Sequence, residues 1–165
     1  MRALAALLLL AAPLGATDYL TPDQAGRSMY PQADRLDPVT FPPGSGAAGF
    51  RGKVLAARKG GATLGHVVIQ NVLGRSEQIT LAVGVDPDGK VRRMEILSYR
   101  ESHGGEVRMS AWRRQFEGKT AASPLKVGKD IAAISGATIS CNNVTEGVRQ
   151  IVAMLDQARR EGLLQ

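Results

Sequence analysis

From Lys53 onward apolar and polar residues fall into short alternating runs that predict four strands: Val54 to Arg58, Thr63 to Val72, Glu77 to Asp86 and Lys90 to Ser98. Ile79, Leu81, Val83 and Val85 repeat with a period of two, and Val91, Met94, Ile96 and Tyr99 follow it less cleanly. That is the pattern of a half-buried antiparallel meander. Gly60-Gly61 suits a tight hairpin between the first two runs. Asp86-Pro87-Asp88-Gly89 is a turn by mechanism, because proline presets φ and glycine tolerates the left-handed region.

The period then lengthens. Glu106 to Glu117 brings Val107, Ala111, Trp112, Gln115 and Phe116 near one helical face and stops at Gly118, a residue suited to ending a helix. A second helix is expected from about Ser140 to Arg160, with Val144, Val148, Ile151, Val152 and Leu155 on its apolar stripe. Between them Ile131 to Ile134 is a small apolar run that could add a strand. No internal repeat is present. The expected class is α+β, an antiparallel β-meander with two packed helices in a single small domain.

The N-terminal third is patterned differently. Arg2 precedes a leucine-rich run, Ala3 to Ala12, which leads to small residues ending at Ala16. This has the organisation of a secretory signal peptide, and the run is shorter than the roughly 20 residues a membrane span needs. Residues 1–16 are therefore expected to direct export, residues 17–50 to form an extension or linker, and residues 51–165 to form the domain. Thr21-Pro22-Asp23-Gln24 carries the signs of a helix start, with Thr21 as cap and Gln24 closing a capping box. Gly44-Ser45-Gly46-Ala47-Ala48-Gly49 has the spacing of a dinucleotide loop. It lacks the preceding buried strand and the following long helix, and Pro42-Pro43 stand before it, so it is read as a flexible linker.

Composition narrows the chemistry. Of 165 residues, 44% are apolar, enough for a core. Aromatics make up 4%, too few for a platform of stacked nucleic-acid bases. The net charge of +6 comes from basic residues scattered as pairs, which suits solvated faces better than a nucleic-acid footprint. The lone Cys141 rules out an internal disulfide, a cysteine zinc site and an iron–sulfur cluster, and His66 and His103 lack metal-ligand spacing. No nucleophile elbow or paired catalytic carboxylates are present. Cys141 has no basic neighbour in sequence and reads as a small apolar residue. Trp112 and Phe116 read as core anchors. Arg92, Arg93, Arg113 and Arg114 read by default as a solvated surface, with an acidic redox partner as the alternative.

The unusual segment is Ile134-Ser135-Gly136-Ala137-Thr138-Ile139-Ser140. Its side chains are minimal, it carries three hydroxyls, and it opens onto a helix N-terminus, where unpaired N–H groups favour a phosphate. Two readings stand side by side: a phosphate site with a hydroxyl at its edge, or a turn at Gly136 with Ser140 as the helix cap.

Ser135-Gly136-Ala137-Thr138-Ile139-Ser140 resembles the S-G-A-T-x-[ST] signature of the FMN-binding domain family, which includes covalent-flavin subunits of the sodium-translocating NADH:quinone reductase and the Rnf electron-transport complex. Val83 to Val91 is similar to that family's strand–turn–strand, Glu101-Ser102-His103-Gly104-Gly105 to its Glu-Thr-Pro-Gly-like loop, and Phe116-Glu117-Gly118-Lys119 to its F-x-G-K helix end. The likeness covers roughly residues 51 to 155. It implies FMN esterified through its phosphate to Thr138 by a separate FAD-using flavin transferase, in a pocket drawing on Ser135, Gly136, Ala137, Ile139, Ser140, Glu101, His103 and Gly104. It also implies an electron carrier rather than a stand-alone catalyst. Its partners would be membrane or periplasmic electron-transfer proteins, with the periplasm or the outer face of the cytoplasmic membrane as its place and a membrane surface within reach. Nucleic acid is not among the expected partners.

One position departs from the family pattern. An acidic residue commonly stands six before the modified threonine, where this chain has Ala132; Asp130 lies two residues earlier. The departure keeps two alternatives open, a cofactor-free interaction or partner subunit of the same fold and a regulatory domain that binds flavin non-covalently.

Overall fold

The computed structural model describes residues 17–164, so the expected signal peptide, residues 1–16, lies outside the described residues. In chain order the elements are β1 (Thr17–Asp18), α1 (Pro22–Met29), β2 (Arg35–Val39), β3 (Lys53–Lys59), β4 (Ala62–Leu73), β5 (Gln78–Val85), β6 (Val91–Tyr99), α2 (Ser110–Arg113) and α3 (Thr138–Arg160). The strands form one antiparallel sheet in the order β1-β6-β5-β4-β3-β2. All four expected strands are present, within about a residue of their sequence limits. The β5–β6 turn closes as its residues require: the Gly89 N–H donates to the Asp86 carbonyl at 2.8 Å, with Gly89 at φ +85°.

The meander is not half-buried. Alternate residues of the strands serve two cores. Val54, Val68, Leu81, Val83, Met94 and Ile96 pack under α3, while Leu55, Ala57, Val67, Ala82 and Leu97 pack under Ala25 and Met29 of α1 and Tyr30, which caps its end. Each fully buried aliphatic side chain contributes about 1.5–3 kcal/mol. The second face escaped the alternation pattern because small residues, Ala57, Ala82 and Gly84, interrupt its larger ones. A Cβ on Gly84 would stand 3.0 Å from the Met29 sulfur, and one on Gly26 would stand 2.5 Å from Leu36, so lack of side chain lets α1 lie close. The Thr21–Gln24 capping box starts α1 as expected.

Two other expectations are corrected. Glu106 to Glu117 is not one helix: it divides into a 3₁₀ turn (Gly105–Arg108), the single turn α2 and a second 3₁₀ turn (Arg114–Phe116). Met109, extended at φ −60°, ψ 127°, interrupts it. Val107, Trp112 and Phe116 are nonetheless buried, whereas Met109 and Ala111 are exposed, and Trp112 and Phe116 meet edge to face at 5.1 Å. Ile131 to Ile134 forms no strand of the sheet; Ile131 makes an isolated parallel bridge to Val127. The Gly44–Gly49 segment is a series of turns seated on the far end of α3, where the Gly46 N–H meets both carboxylate oxygens of Glu161 at 3.1 Å. Among the described residues no helix is long and apolar enough to cross a membrane.

Candidate functional site

Three segments converge at the start of α3: the β4–β5 turn, the loop leaving β6, and the turn Ser135–Ala137. Each pair is tied by hydrogen bonds. Asn143, in the second turn of α3, donates from Nδ2 to the carbonyls of Leu73 (2.6 Å) and Gly74 (3.2 Å), which anchors the β4–β5 turn to the helix. One oxygen of Glu101 accepts the N–H groups of Ser76 (2.5 Å) and Glu77 (2.8 Å), which joins that turn to the β6 loop. Those two N–H groups hold the Glu101 carboxyl below its ordinary range, Glu77 more strongly than Ser76. The Tyr99 hydroxyl donates to the His103 carbonyl at 2.5 Å and lies 3.0 Å from the Ser140 hydroxyl, fixing the loop to α3. Burial pushes the Tyr99 phenol up, so it keeps its proton.

The three segments enclose a cleft of about 510 Å³ lined by Arg75, Ser76, Glu101 to Gly104 and Gly136 to Ser140. That size is in the range of small-molecule sites. The cleft thus gathers Glu101, His103, Gly104, Gly136, Ala137, Thr138, Ile139 and Ser140; Ser135 is exposed on the adjoining turn and does not line it. His103 is exposed, with Nδ1 2.9 Å from the Ser102 hydroxyl. Gly104 is buried at φ +81°, and a Cβ there would lie 2.9 Å from the Ser140 hydroxyl and 3.0 Å from that of Tyr99. Only glycine lets this loop close on the helix.

Ser140 is not the cap of α3. The cap is Ala137, no side chain accepts the first-turn N–H groups, and Ser140 is buried two residues inside the helix. Thr138 is the first helical residue, exposed, with its hydroxyl in no hydrogen bond among the described residues. Gly136, at φ +82°, has open space where a Cβ would project. Uncovered N–H groups at a helix start, an accessible hydroxyl and room before them suit an anionic group such as the phosphate of FMN. The residues fit that cofactor. Exposed Ile139 and Leu73 add an apolar surface at this end of the molecule.

The neighbouring segment bears on the missing acid. Ala132 is exposed, and its backbone is held on both sides: Trp112 Nε1 donates to its carbonyl and its N–H donates to Gln115 Oε1, each at 2.7 Å. Asp130 is engaged elsewhere. Its oxygens accept Leu125 N–H (3.2 Å) and Lys126 N–H (2.9 Å), and it pairs with Lys119 at 3.1 Å. Cys141 is fully buried, and burial raises its thiol. Of the arginines set out for a partner, Arg92 pairs with Asp86 at 2.7 Å and lies over the Tyr30 ring, and Arg113 pairs with Glu95. Sequence reasoning missed Arg75, Tyr99 and Asn143. Of these, only Tyr99 left a trace, as an aromatic residue closing a strand just ahead of the Glu-Ser-His-Gly-Gly loop.

Residues 74–153 match the model of the FMN-binding domain, a range that contains the whole cleft. The chain is 39% identical over 105 residues, 59% of its own length and 56% of the relative's, to a subunit of the proton-translocating ferredoxin:NAD(+) oxidoreductase complex of Clostridium ljungdahlii. It is 28% identical over 110 residues to a subunit of the Na(+)-translocating ferredoxin:NAD(+) oxidoreductase complex of Acetobacterium woodii, covering 61% of this chain and 53% of that one. With a subunit of the ion-translocating oxidoreductase complex of Vibrio parahaemolyticus the identity is 30% over 103 residues, 56% and 49% of the two chains. The chain spans about half the length of these curated relatives.

Proposed function

We propose, for a chain that belongs through residues 74–153 to the FMN-binding domain family, that it is an exported electron carrier holding FMN as a phosphoester of Thr138. One observation carries this reading: the Thr138 hydroxyl stands exposed at an uncapped helix start, inside a cleft of fitting size. When bound, FMN supplies the ring that takes up and releases electrons, and the protein supplies position and charge. The first-turn N–H groups of α3 would hold the phosphate. Gly136 leaves room for the sugar-phosphate chain and for the flavin transferase that attaches it. The Tyr99–Ser140 and Glu101 hydrogen bonds keep the walls of the cleft in place. The kinship to components of ion-translocating oxidoreductase complexes supports electron-transfer proteins at a membrane as partners; an outer-face position rests on the export signal expected over residues 1–16.

A second reading is favoured by one observation. Ala132 offers no carboxylate and that of Asp130 is bound within its own loop, so FMN would be held without a covalent bond, or the domain would serve as a cofactor-free partner subunit. Co-expression of the full chain with an FAD-dependent flavin transferase separates these readings. Covalent loading leaves the acid-precipitated protein yellow, with a mass greater by FMN less one water, and Thr138→Ala removes both signals. A colourless protein of unmodified mass overturns the carrier reading, and colour lost on denaturation supports non-covalent binding.

A further inference from the structure

Of the residues lining the cleft, Arg75 is the one cation. The carboxylate that shares the cleft, Glu101, is turned chiefly onto the Glu77 and Ser76 N–H groups; the Arg75 N–H and charge act on it more weakly, and Arg75 forms no salt bridge among the described residues. Nor is the β4–β5 turn that carries it left to drift. Asn143 grips it from α3 and Glu101 from the β6 loop, so the backbone that carries Arg75 is fixed relative to Thr138, within reach of the cleft for its long side chain. A cofactor joined by its phosphate at Thr138 finds the cleft that Arg75 lines open to the rest of its length.

We propose that Arg75 faces the redox ring of the bound flavin and raises its reduction potential. The inference rests on the flavin reading above. Two-electron reduction of an isoalloxazine takes two electrons from the donor, here dithionite, and one proton from water, and leaves one negative charge on the ring. A guanidinium at the ring stabilises that charge and leaves the neutral oxidised form almost unaffected, so the equilibrium moves toward reduction. Glu101 acts as a positioning residue through the turn it holds.

The test is a dithionite titration of the flavin-loaded full chain against a reference dye, comparing wild type with Arg75→Ala, Arg75→Lys and Arg75→Glu. Arg75→Ala is expected to lower the reduced-to-oxidised ratio at a fixed potential about ten-fold, which is about 30 mV for a two-electron couple. Arg75→Lys keeps the charge and stays near wild type, and Arg75→Glu falls below the alanine variant. A purely structural role would instead lower the melting temperature and leave the midpoint in place. A midpoint unmoved in Arg75→Ala, or a lysine variant as low as the alanine one, overturns the proposal alone. A wild-type protein that takes up no FMN overturns the flavin reading and this inference with it.

Discussion

The hydroxyls of Tyr99 and Ser140 lie 3.0 Å apart, joining the last residue of β6 to the first turn of α3 across 41 positions of sequence. Because Tyr99 donates its one proton to the His103 carbonyl, it receives the Ser140 proton, and a single phenol links strand, loop and helix. Tyr99→Phe strips both partners. Leaving buried polar groups unpaired costs about 1–3 kcal/mol, so urea denaturation should show a loss of that size. Flavin yield should fall with it. Ser140→Ala, which keeps the bond to His103, should cost less.

Gly104 and Gly136 share nearly the same positive φ, +81° and +82°, but differ in surroundings. Alanine at either carries the left-handed backbone cost of about 1–2 kcal/mol. At 104 the new methyl also meets the Tyr99 and Ser140 hydroxyls, and at 136 it meets nothing. Thermal melts should therefore rank Gly104→Ala clearly below Gly136→Ala. Equal melting temperatures would argue against the tight closure of the loop on α3.

Ala132 is exposed on a backbone held by Trp112 and Gln115, so an acid fits there without displacing a neighbour. Ala132→Asp should raise the initial rate of covalent flavin attachment at fixed transferase concentration, read by in-gel fluorescence. Asp130→Asn should weaken the 125–130 loop without lowering the rate of attachment. Burial opposes ionisation of Asp130, but the N–H groups of Lys126 and Leu125 and the Lys119 ammonium hold its carboxyl low.

His66 supplies a pH signature remote from the cleft. Burial first, then the charges of Arg58 and Arg159, lower its imidazole from 6.5 to about 4. Asp86 also lines the small cavity beside it. Above pH 6.5 both folded and unfolded chains hold it neutral and it contributes no slope. Between pH 6.5 and 4 the unfolded chain binds the proton first, so stability falls as pH falls, by about 3 kcal/mol in all at about 1.36 per unit. Urea midpoints at about pH 7 and pH 4.5 should differ less in His66→Gln than in wild type.

The strands, the turn at Asp86–Gly89, the capping box and the segment Ser135–Ser140 were all legible because local chemistry dictates them. A period of two, a Pro-Asp-Gly turn and a Thr-x-x-Gln box leave marks within a few residues. What stayed hidden depends on contacts far apart in sequence. Ala82 and Gly84 look like gaps in an apolar pattern until α1 arrives from about 55 residues upstream to use the space. The helix expected over Glu106–Glu117 had the right buried residues in Val107, Trp112 and Phe116, but tertiary burial set their spacing without a continuous helix. The cleft's far wall escaped for the same reason. Arg75 and Asn143 are far apart in sequence, and the turn bearing Arg75 joins the site through Asn143, which reaches the carbonyls of Leu73 and Gly74, and through Glu101, which holds the N–H groups of Ser76 and Glu77.

The pairing of Thr17 with Tyr99 brings the front of the described chain alongside the residue that fastens the cleft, while α3 carries the other end away by its full 23 residues, about 35 Å at about 1.5 Å each. Cargo fused ahead of β1 would crowd the mouth of the cleft. A purification handle or surface linker belongs after the last turn of α3, which leaves the cleft end clear.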